Sequence, residues 1–174
     1  DIQRSRGLGD VYKRQPLQAP KKWVDYYVEK FGDEKPYYPA YAYYPNRYPR
    51  ATYAAMISYL DEIVGSLTQK LKEINQFENT IIMFTSDNGV TYLDQVDSGF
   101  FNSSAMFSDD NDMVKKSLYE GGIRVPSFVT WPRKIKEGSF SNHISSTQDF
   151  YATILDLFKI KNCLLYTSDA ADER

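Results

Sequence analysis

Oxygen ligands for a hard cation stand side by side in Thr85-Ser86-Asp87-Asn88-Gly89. Asp87 offers a carboxylate and Asn88 an amide carbonyl, the donor types that Ca²⁺ and Mg²⁺ take. Gly89 is expected to let the chain turn sharply beside them. Alone the triplet does not specify a site, because Asp-Asn-Gly is also a common turn sequence. A second group of carboxylates, Asp109, Asp110 and Asp112, reads either as an extra cation site or as a solvated acidic loop, and the solvated loop is preferred. His143 is the only histidine and lies in a Ser-x-His-Ile-Ser stretch, where it reads as structural or close to a helix cap.

The elements that must position these groups follow from periodicity. Tyr53, Met56, Ile57, Leu60, Ile63, Val64, Leu67, Leu71 and Ile74 recur every three or four residues, which places them on one face of an α-helix. Asp61, Glu62, Lys70, Lys72 and Glu73 fall mostly on the other face, so the helix is read as core scaffold with a solvated side. Asn75 to Thr80 breaks the pattern. The apolar run Ile81-Ile82-Met83-Phe84 then suits a strand buried on both faces of a parallel sheet. The Asp-Asn pair follows directly, at the carboxyl end of that strand, where open α/β sheets bind their ligands. Helix, short loop and buried strand point to an α/β domain. Upstream, a candidate helix around Trp23 to Phe31 precedes a run dense in tyrosine and proline, Lys35 to Arg50, read as an ordered loop or linker. Its tyrosines either line a substrate cleft or pack that loop onto the domain surface.

Downstream, Lys115-Lys116-Ser117-Leu118-Tyr119-Glu120-Gly121-Gly122-Ile123-Arg124-Val125-Pro126 leads into Ser127-Phe128-Val129-Thr130-Trp131-Pro132. This reads as a loop, a glycine turn and another strand. Together with Ser86-Asp87-Asn88-Gly89, these motifs resemble the sulfatase family in order and spacing. Pro49-Arg50-Ala51-Thr52-Tyr53-Ala54-Ala55-Met56 and a closing helix from Ser145 to Phe158 look like the family's as well. The resemblance covers nearly all of Pro16 to Asn162. It implies part of an alkaline-phosphatase-like α/β domain, with a mostly parallel central sheet flanked by helices.

The resemblance also implies roles. Asp87 and Asn88 match the pair that ligates a single divalent cation beneath the sulfate, usually calcium, with magnesium as the alternative. Lys115, four residues before Tyr119, matches a lysine that contacts the sulfate oxygens; Lys116 is the less favoured alternative. Glu120, Gly121, Gly122 and Arg124 match positions read as shaping the turn and the next strand. Sulfatases use a formylglycine nucleophile made from cysteine or serine, and neither that motif nor the upstream aspartate pair, the active-site histidines or the second lysine stands in this chain. The cation and the lysine stabilise charge on the transferring sulfuryl oxygens. A neutral oxygen ligand at Asn88, where phosphoesterases of the same superfamily commonly place a zinc-binding histidine, favours the harder calcium ion.

The expected reaction is hydrolysis of a small-molecule or glycan sulfate ester, and the expected location is periplasmic or secreted. Two other classes stay open: a phosphate or phosphonate ester hydrolase of the same superfamily, and a non-catalytic domain that keeps the fold. The nucleophile upstream would decide between them.

Composition agrees with a folded domain. The chain has 174 residues, 42% of them hydrophobic and 25% charged, close to ordinary globular proteins. A net charge of −2 with scattered basic residues gives no electrostatic footprint for nucleic acid. No apolar run approaches the roughly 20 residues a membrane helix needs. Both ends are expected to be foreign. The codons GAT GTG TAT AAG AGA CAG spell Asp10 to Gln15, and the reverse complement of that DNA, read one base in, spells Cys163 to Ser168. One inverted element, resembling a sequencing adapter, thus accounts for residues 1–15 and 163–174, and leaves Pro16 to Asn162 as the sulfatase-like part. Cys163, the only cysteine, is then not native.

Overall fold

The computed structural model describes residues 17–38, 44–90, 98–103 and 114–160, which belong to two units divided in sequence between Glu137 and Gly138. The acidic residues Asp109, Asp110 and Asp112, Cys163 and both foreign-looking ends lie outside the described residues.

In the first unit, helix α1 (Lys21–Phe31) stops at Gly32, whose φ of 77° is costly for any residue with a Cβ. Helix α2 (Pro49–Glu73) opens with proline at its first position, where the missing N–H would have had no partner in the helix. Its next free amides are met from far upstream. The Glu34 carboxylate, only 7% exposed, accepts the Arg50 N–H at 2.7 Å and the Ala51 N–H at 3.0 Å. Negative charge is stabilised at that end of a helix. Described residues between them, Tyr37, Asn46 and Arg47, are tied down as well. Tyr37 and Asn46 exchange backbone bonds of 2.8 and 2.9 Å, and Arg47 donates to the Glu34 carbonyl at 2.8 Å and to Asp33 at 2.6 Å. That bond to Arg47 holds the Asp33 carboxyl below its usual value and raises Arg47 in turn.

Helices α1 and α2 pack through mixed contacts. Trp23 Nε1 donates to Glu62 at 2.7 Å, Lys22 pairs with the same carboxylate, and the Tyr27 and Ser58 hydroxyls lie 2.7 Å apart. Fully buried apolar side chains are few among the described residues. Ala51 and Ala55, on the first turns of α2, are fully covered, and so is Val114. The apolar stripe further along α2 differs from the expected core face: Ile57, Leu60, Ile63 and Leu67 remain 42 to 54% exposed. Helical periodicity identifies a face able to be buried, and the described residues bury it fully only at its start.

A 3₁₀ turn (Phe77–Asn79) leads to strand β1 (Ile82–Thr85). After it come the single helical turns α3 (Ser98–Phe101) and α4 (Glu120–Ile123), then strand β2 (Ser127–Thr130). Phe101 of α3 stacks within 5.1 Å of Tyr53 on α2, and Phe100 lies 5.2 Å from Phe31 on α1. β1 and β2 pair antiparallel, with Ile82 opposite Thr130 and Thr85 opposite Ser127. The mostly parallel sheet is therefore not seen among the described residues, whose sheet has two strands of opposite direction. β1 is half-buried with Phe84 exposed, and β2 is exposed throughout. An apolar run shows that both faces of a strand tolerate cover; it does not encode the direction of its neighbour.

The second unit contains α5 (Thr147–Leu157), started by a capping box in which the Ser146 N–H donates to Asp149 at 2.6 Å. His143 is exposed in the irregular segment before this cap. Among the described residues no helix is long and apolar enough to cross a membrane.

Candidate metal and anion cleft

The loop after β1 folds back on itself. Ser86 Oγ donates to the Asn88 carbonyl at 2.9 Å, and Asn88 Nδ2 donates to the Gly89 carbonyl at 2.9 Å. Because the amide nitrogen is engaged there, Oδ1 is the atom Asn88 offers to a ligand.

Two backbone bonds then join this loop to the segment around α4. The Gly89 N–H donates to the Gly122 carbonyl at 2.8 Å, and the Lys115 N–H donates to the Val90 carbonyl at 2.9 Å. Such contact requires glycine. A Cβ on Gly89 would lie 1.8 Å from the Gly121 carbonyl oxygen, and one on Gly122 would lie 2.3 Å from the Ser117 carbonyl oxygen. Neither glycine has a positive φ. The chain does bend through Asp87 to Gly89, as expected, but the glycine serves close approach rather than backbone freedom.

Lys115 sits in a tight turn of its own. The Ser117 N–H returns to the Val114 carbonyl at 2.9 Å, and of the two central residues only Lys116 has a positive φ, 80°. A closed turn with φ near +80° at its third residue is type II.

These loops border an open cleft of about 380 Å³ whose walls include Tyr53, Ser86, Asn88, Lys115, Arg124 and Pro126. Asn88 and Lys115, distant in sequence, therefore face one space. Asp87 is exposed beside Asn88 without forming part of the cleft wall, and Lys116 is exposed and likewise absent from it. Arg124 is paired with Glu120 at 2.9 Å across one turn. Among the described residues no three His, Cys, Asp or Glu side chains cluster as a metal cage. Asp87 and Asn88 are hard oxygen donors on one short loop and fit as part of a calcium set, which takes six to eight oxygens. Sequence reasoning missed Tyr53, read as helix core, and Ser86 as wall residues. Helical periodicity groups Tyr53 with the buried stripe and gives no sign that its turn borders a cleft.

The family model for sulfatases matches residues 15–160. The chain is similar to an N-acetylglucosamine-6-O-sulfatase of Bacteroides thetaiotaomicron, with 32% identity over 86% of this chain and 25% of that protein. It is similar to mouse arylsulfatase J, with 30% identity over 82% of this chain and 20% of the relative. Human N-acetylgalactosamine-6-sulfatase is 28% identical over 62% of this chain and 20% of its own length. The chain thus spans a quarter or less of these relatives. With most of its length matched and the two signature loops bonded to each other, the chain belongs to the sulfatase family.

Proposed function

We propose that the full-length protein containing this chain hydrolyses sulfate esters, and that this segment supplies part of the cation site and one sulfate contact. The observation that carries the reading is the shared cleft, with Asn88 and Lys115 on its wall and their loops bonded through Val90 and Lys115. Asp87 and the Oδ1 of Asn88 hold a divalent cation, calcium in preference to magnesium, with the remaining ligands supplied from outside this segment. When bound, the cation supplies positive charge beneath the sulfuryl oxygens. The Lys115 ammonium donates to those oxygens, where negative charge grows during transfer. The nucleophile, a formylglycine in this reading, lies outside Pro16 to Asn162.

The names of the relatives support a sulfated sugar or aryl sulfate as substrate; a periplasmic or secreted setting is part of this proposal and follows from the family resemblance alone. In the full domain, further strands extend the β1–β2 pair into a mostly parallel sheet, and other elements cover the open stripe of α2. The 174-residue chain alone is expected to show no turnover. The deciding assay gives the full-length protein an aryl sulfate and the matching aryl phosphate. Hydrolysis of the sulfate alone is expected. Hydrolysis of the phosphate alone would move the reading to a phosphoesterase, and inertness towards both to a non-catalytic domain.

A further inference from the structure

The lysine pair in the Val114–Ser117 turn divides its labour in a way that residue type does not reveal. Lys115 lines the cleft and Lys116 does not. Lys116 instead takes the left-handed φ of 80° at the one place in a type II turn where glycine or asparagine is favoured. A lysine there works against its own Cβ, and the cost is held by surrounding contacts. Those contacts are visible. Val114 is fully buried, the Ser117 N–H closes the turn, and Gly122 presses against its back, so that an added Cβ would lie 2.3 Å from the Ser117 carbonyl oxygen and 2.7 Å from that of Val114. The same Gly122 carbonyl accepts the Gly89 N–H from the Asp87-Asn88 loop.

We propose that Lys116 and Gly122 are positioning residues for Lys115: the left-handed backbone of Lys116, clamped by Gly122, holds the turn that points Lys115 into the cleft, and the Lys116 ammonium has no part in it. This rests on the sulfate-ester reading for its assay and goes beyond it by assigning a role to the backbone of the neighbouring residue. If the turn slips to a form without a positive φ, Lys115 leaves its position, and turnover falls with the fraction of molecules that keep the competent turn.

The experiment replaces Lys116 in the full-length protein with Gly, Asn, Ala, Thr and Val, and measures kcat and KM for an aryl sulfate together with calcium content. Gly and Asn accept the left-handed region, Ala removes the charge at little change in backbone preference, and Thr and Val resist it. Turnover in Lys116→Gly, Lys116→Asn and Lys116→Ala is expected at or above the starting level. Lys116→Val should lower kcat about tenfold, through the further cost that a β-branched side chain adds at positive φ beyond what lysine already bears, with calcium content unchanged. Lys116→Thr serves as the decisive β-branched variant if Lys116→Val does not fold. Equal kcat across the five variants overturns the proposal, and so does a common loss in Gly, Asn and Ala, which would make the ammonium itself the working group. An inactive starting protein would instead remove the sulfate-ester reading. The turn's role is then read from binding of inorganic sulfate by calorimetry, where Lys116→Thr should bind more weakly than Lys116→Asn, and equal binding overturns it.

Discussion

Gly89 and Gly122 meet backbone to backbone: the N–H of one donates to the carbonyl of the other at 2.8 Å, and a methyl group on Gly89 would sit 1.8 Å from the adjoining Gly121 oxygen. The Asp87-Asn88 loop and the Glu120–Ile123 turn are therefore one object, held at a distance only glycine permits. Gly89→Ala should force the two apart and cost about 1–3 kcal/mol, the usual penalty of overpacking. Chemical denaturation and calcium content of the full-length variant would both register the change. Unchanged stability together with full calcium content would contradict the contact.

Asp87→Ala removes the charged member of the proposed cation pair. Calcium content and turnover should both drop strongly, and excess calcium should restore activity only in part, since Asn88 and the remaining ligands still bind. A variant with normal metal content and normal rate would sink the assignment.

Lys115→Ala should leave the metal in place and remove one charge-assisted contact to oxygens that gain charge in the transition state. Comparable donors are worth about 3–4 kcal/mol, or two to three powers of ten in kcat. Lys116→Ala, by contrast, should be nearly silent. Steady-state kinetics on both variants side by side would show it, and the reverse ranking would exchange the roles of the two lysines.

Glu34→Ala deletes the carboxylate that receives the Arg50 and Ala51 amides at the start of α2. Loss of a helix cap at a buried site costs about 1–3 kcal/mol. Urea unfolding of the full-length variant should show a lower midpoint at unchanged slope. An unaltered midpoint would mean that water replaces the carboxylate at no cost.

The Glu62 carboxyl is held below its usual value, first by its bond to Lys22 and then by Trp23. A carboxyl lowered in the folded state stabilises above its unfolded pKa, and that contribution is lost as pH falls through the folded value. The difference in melting temperature between the starting protein and Glu62→Gln should therefore be present near neutrality and fade in acid. Because the pair is exposed to solvent, added salt should shrink it as well. A difference that grows on acidification would refute the linkage.

What could be read from the sequence was local. The periodicity beginning at Tyr53 disclosed α2 but not its first turn, because Pro49 looked like the end of a loop and its capping carboxylate, Glu34, lies well upstream. The run Ile81 to Phe84 disclosed β1 but neither its antiparallel partner nor its open face. Asp87 and Asn88 were legible as donors, while their link to Lys115 rested on resemblance; the bonds that bring the loops together run between backbone atoms, which residue types do not advertise. Lys116 shows the same limit, since nothing about a lysine announces a left-handed φ.

The Glu34 clasp also bears on the order in which the molecule assembles. The amides of Arg50 and Ala51 gain their acceptor only after the chain has looped back from residue 34, so the beginning of α2 cannot be completed by helix growth alone. Closing that loop costs entropy that local helix formation does not. In hydrogen exchange, these two amides should open together with the Asp33–Arg47 and Tyr37–Asn46 ties rather than with the middle of their own helix, making the segment before α2 and its first turn a single cooperative unit.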